Sequence, residues 1–120
     1  MSLTLSPMSL ASQALLVLSN VPNEELAEQL ARLLVERRLA ACVNILPPMR
    51  SIYSWEGKVE EAREVAMQIK STIAHYAELE AAIKAAHPYS VPEIIAIPIV
   101  DGLPIYLDWI KQETSKERNA

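Results

Sequence analysis

The spacing of apolar residues constrains this chain more than any other feature, because it switches between the period of a strand and that of a helix in one fixed order. Gln13 to Asn20 contains the continuous apolar run Ala14-Leu15-Leu16-Val17-Leu18, which suits a strand covered on both faces in the interior of a sheet. After Val21-Pro22, Asn23 is a helix-capping residue type, and Glu24 and Glu25 put negative charge at the positive end of the helix dipole. Leu26, Leu30, Leu33 and Leu34 then recur at helical spacing, with Arg37 and Arg38 at the negative end. Strand character returns at Cys42-Val43-Asn44-Ile45-Leu46 and stops at Pro47-Pro48. Proline cannot donate to a sheet ladder, so the pair marks an edge, a bulge or a break.

A strand resumes at Arg50. In Ser51-Ile52-Tyr53-Ser54-Trp55 the alternation of side chains places Tyr53 and Trp55 on one face. Glu56-Gly57-Lys58 supplies a hairpin turn in which Gly57 is free to take a positive φ. The return strand puts Val65, Met67 and Ile69 on one face and Glu64, Gln68 and Lys70 on the other. Ile73, Tyr76, Leu79, Ala82, Ile83 and Ala86 predict a second helix, with Thr72 or Ser71 as its cap and His87-Pro88 as its end. Glu93 to Val100 predicts a further strand, Asp101-Gly102 a turn, and Ile105 to Glu113 a short helix with Tyr106, Trp109 and Ile110 near one side. The order is β-α-β-β-α-β with an added C-terminal helix. That is the α+β, ferredoxin-like arrangement, an antiparallel sheet with both helices on one face; it decides no function by itself.

A length of 120 residues fits one domain. Its expected extent is 13–113, with residues 1–12 as a flexible N-terminal extension and 114–120 as a polar tail. The net charge of -4 and scattered basic residues argue against nucleic acid. The apolar runs are far shorter than the roughly 20 residues that cross a bilayer, so no membrane partner is expected. Residues Met1 to Leu10 lack the positive start of a secretory signal. A single cysteine, Cys42, cannot form an internal disulfide and fits a reducing compartment; a cytoplasmic location is expected.

Metal-ligand residue types are few: Cys42, His75, His87 and fifteen acidic residues, without CxxC, HxxxH or HExxH spacing. Cys42 is expected to be a packing residue in its strand, and His75 a surface residue. His87, where a helix ends and Pro88-Tyr89 turn the chain, either favours the negative end of the helix dipole or serves as a metal ligand. Lys70 is solvated charge or part of a cleft, and Tyr53, Trp55, Tyr89 and Trp109 suit packing or an interface. No GxSxG elbow, phosphate loop or Cys-His constellation is present, and Glu60-Glu61 at a hairpin end is solvated charge. No enzyme activity is expected.

Four strings in order carry a resemblance. Leu39-Ala40-Ala41-Cys42-Val43-Asn44-Ile45, Ser51-Ile52-Tyr53-Ser54-Trp55-Glu56-Gly57-Lys58, His87-Pro88-Tyr89-Ser90-Val91-Pro92-Glu93-Ile94-Ile95 and Tyr106-Leu107-Asp108-Trp109 closely resemble the CutA divalent-cation tolerance family, from about Leu15 to Ile110. The resemblance implies a tight trimer similar in architecture to PII-type signalling proteins, binding of copper or another divalent cation, no organic cofactor, and a response to metal ions. Family metal sites imply a cysteine at the position of Ser19 and paired histidines at Ala86 and His87; here only His87 matches, so Ser19 and His87 are the metal candidates. The expected intersubunit cleft is lined by Tyr53, Trp55, Lys70, Tyr89, Glu93 and Trp109. The alternative is a PII-like signalling or scaffold trimer that binds a small ligand or protein partner, with metal binding incidental. Strand edges and exposed aromatics of the long hairpin also favour a homotrimer, since other copies would cover them.

Overall fold

The structure, a computed structural model, describes residues 10–115. In chain order it contains β1 (Ala14–Val21), α1 (Glu24–Glu36), β2 (Cys42–Ile45), β3 (Met49–Trp55), β4 (Lys58–Thr72), α2 (Ile73–Ala86), β5 (Ile94–Pro98) and α3 (Pro104–Glu113). This is the expected α+β order. All pairings are antiparallel, in the order β2-β4-β1-β5, with β3 paired to β4 alone.

Strand β4 has 15 residues and serves two layers of structure. Its second half runs between β1 and β2, with Ile69 opposite Val17 and Val43; its first half pairs only with β3, from Met49↔Glu64 to Trp55↔Lys58. The first half therefore leaves the sheet as a two-stranded arm. Between β2 and β3 the register moves from Ile45↔Met67 to Met49↔Glu64, so Leu46, Pro47 and Pro48 face two residues of β4. The proline pair thus sits in a bulge, where its missing N–H groups cost no ladder bonds.

One face of the sheet holds the core. Leu15, Val17, Val21, Val65, Met67 and Ile69 are buried with Leu30 and Leu34 of α1 and Leu79 and Ile83 of α2. A second cluster seats Ile110 of α3 against Ala14 and Ala41. Alternation puts Leu16, Leu18 and Asn20 of β1, Glu64, Gln68 and Lys70 of β4, and Tyr53 and Trp55 of β3 on the face opposite α1 and α2. Ile95 and Ile97 of β5 belong to that face and are 49% and 44% exposed.

Several local expectations change. Asn23 caps α1 as expected, its side chain accepting from Leu26 N–H at 2.8 Å. Thr72 occupies the cap position of α2 without a side-chain capping bond, and Ser71 instead donates its hydroxyl to Leu39 O at 2.6 Å. Ile73 and Ala86 are exposed, because the apolar stripe of α2 is wider than the surface it covers. Arg38 follows α1 with φ 59° and serves α3: its guanidinium donates to Gln112 O and Ser115 O, carbonyls at the negative end of that helix. Strand β5 is shorter than Glu93 to Val100, and Cys42 and His75 are half-buried rather than core and surface. Thr114, expected in the polar tail, is buried and donates to Ile110 O at 2.9 Å; residues 1–9 of the extension and 116–120 of the tail lie outside the described residues.

Ser19 is fully buried on the helix-covered face, and its hydroxyl has no hydrogen-bond partner. A buried unsatisfied hydroxyl costs about 1–3 kcal/mol. Ser19→Ala is therefore expected to stabilise the fold by about 1 kcal/mol, read as a melting temperature higher by about 3–5 °C at fixed protein concentration. A lower melting temperature would mean that the hydroxyl is satisfied.

Candidate functional site

The arm and the segment that follows α2 enclose a cavity outside the core. The turn Glu56-Gly57 takes φ values of 50° and 80°, a pair of left-handed residues that matches the twist of a tight hairpin. This holds β3 and β4 in register up to the tip and keeps Tyr53 and Trp55 side by side on one face.

His87 fixes the opposite wall. The residue ends α2 in extended backbone, φ -80° and ψ 133°, as a residue before proline should. Its ring is buried, with Nε2 2.7 Å from Asn20 O and Nδ1 3.2 Å from the Tyr89 backbone N. An amide N–H can only donate, so Nδ1 accepts and the ring proton sits on Nε2, which donates to Asn20 O. Both nitrogens are occupied by backbone. The ring also lies against Tyr89, with centroids 4.6 Å apart. Tyr89 to Glu93 is thereby anchored beside the end of β1.

Between these walls is a cavity of about 440 Å³, lined by Asn20, Ser51, Ile52, Tyr53, Trp55, Glu64, Tyr89, Ser90, Val91 and Glu93. Its wall contains two carboxylates and no lysine or arginine. The Asn20 side-chain amide donates to Glu93 Oε1 at 3.1 Å. Burial first, then the charge of Glu64 and its hydrogen bond, and then Tyr53, hold the Tyr89 phenol above its ordinary pKa. Glu64 is itself buried.

Of the residues expected in a cleft, Tyr53, Trp55, Tyr89 and Glu93 come together here. Lys70 and Trp109 do not line the cavity: the Lys70 ammonium donates to Asn44 Oδ1 at the other end of β4, and Trp109 lies with Tyr106 on α3, centroids 5.5 Å apart. Ser19 lies on the helix-covered face and the His87 ring bonds the carbonyl of the next residue, Asn20, and neither side chain lines the cavity. Among the described residues, no three His, Cys, Asp or Glu side chains are grouped to hold a metal ion. Asn20 and Glu64 were missed from sequence. Glu64 carried a usable signal, as the carboxylate where β4 passes from the polar arm into the apolar sheet.

Residues 15–113 match the family model described as CutA1 divalent ion tolerance protein. The chain belongs to the CutA1 family. It is 50% identical over 98 residues to the divalent-cation tolerance protein CutA of Thermus thermophilus, spanning 82% of this chain and 95% of that one. Protein CutA of mouse is 46% identical over 99 residues, but the match spans only 56% of its length. Solved CutA structures agree in fold: that from Thermus thermophilus has a TM-score of 0.83 at 48% identity, and the protein from Archaeoglobus fulgidus, described as periplasmic, 0.82 at 43%, each match covering 85% of this chain and 99% of the other.

In this CutA1 chain the coupling of Tyr89 to Glu64 can be measured. A raised folded-state pKa means that the neutral phenol is favoured; its contribution to stability is complete below the ordinary value of about 10 and is lost as pH climbs through the raised value. Tyr76, which burial and its bond to Glu80 push up to about 12, is first removed by Tyr76→Phe. In that background, alkaline absorbance titration is expected to show a late phenol that disappears in Tyr89→Phe. Glu64→Gln should move it earlier without making it ordinary, since burial is the largest cause. No movement in Glu64→Gln would break the proposed contact.

Proposed function

We propose that this chain is a non-enzymatic divalent-cation tolerance protein that works as a homotrimer and takes a divalent ion, copper among them, at the Glu64 and Glu93 carboxylates. The observation that supports a cationic ligand is the charge of the cavity, two acids with no base in its wall. Carboxylate oxygens are ordinary ligands for divalent ions, and imidazole suits copper. His87 can join only by giving up the Tyr89 N–H bond, which offsets part of what it adds. Water or a neighbouring chain completes the shell, so affinity is modest.

The trimer is supported by what one chain leaves uncovered. Ile52 and Val59 on the arm are 66% and 78% exposed, and an isolated two-stranded ribbon is marginally stable in water. The radius of gyration is 15.9 Å, against about 13.6 Å for a compact chain of this length. Three copies in a closed ring would cover the arm and the free edge of β5. A second reading, a PII-like module for a small organic ligand or protein partner, is favoured by one observation: aromatic rings, not only oxygens, line the cavity.

Light scattering at micromolar concentration is expected to give three times the 13.3 kDa chain mass; a monomer would defeat the trimer. Calorimetric titration with Cu(II) at neutral pH should show binding that Glu93→Gln weakens by about tenfold, with a smaller loss in His87→Ala. Unchanged affinity in Glu93→Gln removes the ion from the cavity, and no binding by the unaltered chain favours the second reading.

A further inference from the structure

We infer that His87 is a positioning residue and not a metal ligand: its ring fastens residues 87–93 to the end of β1 and so sets where Glu93 stands. The fastening is independent of any ligand; its bearing on metal binding rests on the reading above, in which Glu93 takes the ion. Every bond involved lies within one chain, and a neighbouring copy can only deepen the burial of a residue that is 8% exposed.

Both ends of the segment close on Asn20. Its backbone carbonyl accepts from His87 Nε2 at 2.7 Å, and its side-chain amide donates to Glu93 Oε1 at 3.1 Å. His87 Nδ1 in turn accepts from the Tyr89 backbone N–H at 3.2 Å, the bond that an asparagine side chain makes in an Asx turn. Between those two residues Pro88 fixes the backbone. The result is a clasp that ties the start of the segment to its end through one residue of β1.

A metal ion needs a ring nitrogen with a free lone pair, and the clasp leaves none. The other neutral tautomer sets an Nδ1–H against the Tyr89 N–H and a lone pair against Asn20 O, and turning the ring over puts carbon in place of each nitrogen. Either rearrangement forfeits both backbone bonds, and drawing Nδ1 alone away forfeits the Tyr89 bond. His87 does not form a three-ligand group with Glu64 and Glu93 that could offset the loss. The drop in copper affinity expected in His87→Ala then comes through a displaced Glu93.

The tautomer is read on the unaltered chain, 15N-labelled at histidine, with EDTA at about pH 8, where an ordinary histidine is neutral. Long-range 1H–15N correlation is expected to show the proton on Nε2 and a bare Nδ1 for one of the two histidines, and His87→Asn identifies that signal by removing it. A proton on Nδ1 overturns the inference. Amide exchange is the second readout: Tyr89 N–H should lose about tenfold in protection in His87→Ala and keep most of it in His87→Asn, whose side-chain oxygen can accept the same bond. Equal loss in both variants, or loss in neither, overturns the clasp. The metal is tested separately, by pulsed EPR of Cu(II) added to His75→Gln, which leaves His87 as the one imidazole. Copper bound without the modulation of a coordinated imidazole nitrogen is expected, and that modulation makes His87 a ligand and overturns the inference. If no copper binds, the reading of Glu93 as a ligand fails, while the tautomer and the exchange data still decide the clasp.

Discussion

Everything in this molecule hangs on the continuity of β4. A single strand with unbroken alternation carries the face assignment of the core out into the arm. Met67 and Ile69 must lie under α1 and α2, because apolar burial there is the main source of stability. With those two fixed, Glu64 must point to the opposite face, and the cross-strand register sends Tyr53 and Trp55 to the same side. Core packing thus aims the cavity wall, although no residue of the hydrophobic core lines the cavity.

The order of elements was legible because it depends on local periodicity, and the four cavity residues Tyr53, Trp55, Tyr89 and Glu93 were legible through the strings around them. Lys70 and Trp109 stand apart from this cavity within one chain for a geometric reason. Lys70 shares a face with Glu64 but lies six residues along the strand, about 20 Å away, and Trp109 stands on a helix packed at another end of the sheet. Asn20 and Glu64 enter only through non-local pairing, which no window of sequence displays. His87 was legible as a helix end. Which partners its nitrogens take was not, because Asn20 is 67 residues away.

The two walls of the cavity are built differently. The arm wall is a ribbon held by its own ladder and turn, whereas the Tyr89–Glu93 wall is held through one buried ring and one side-chain amide. Glu93 and Tyr89 are therefore held in fixed positions. The same bonds make His87 a structural anchor first. A histidine beside acidic residues suggests a ligand set, but proton placement on the ring decides otherwise in this conformation.

The bulge at Pro47-Pro48 bears on how the chain reaches this state. Sliding the hairpin by one residue would carry a ring lacking an N–H into a position that must donate, besides turning the aromatic face over. The proline pair works as a registration pin: mispaired arms are penalised twice, and the correct alignment can be selected while the hairpin is still forming. Fidelity of strand pairing is then written into β2 and β3 themselves.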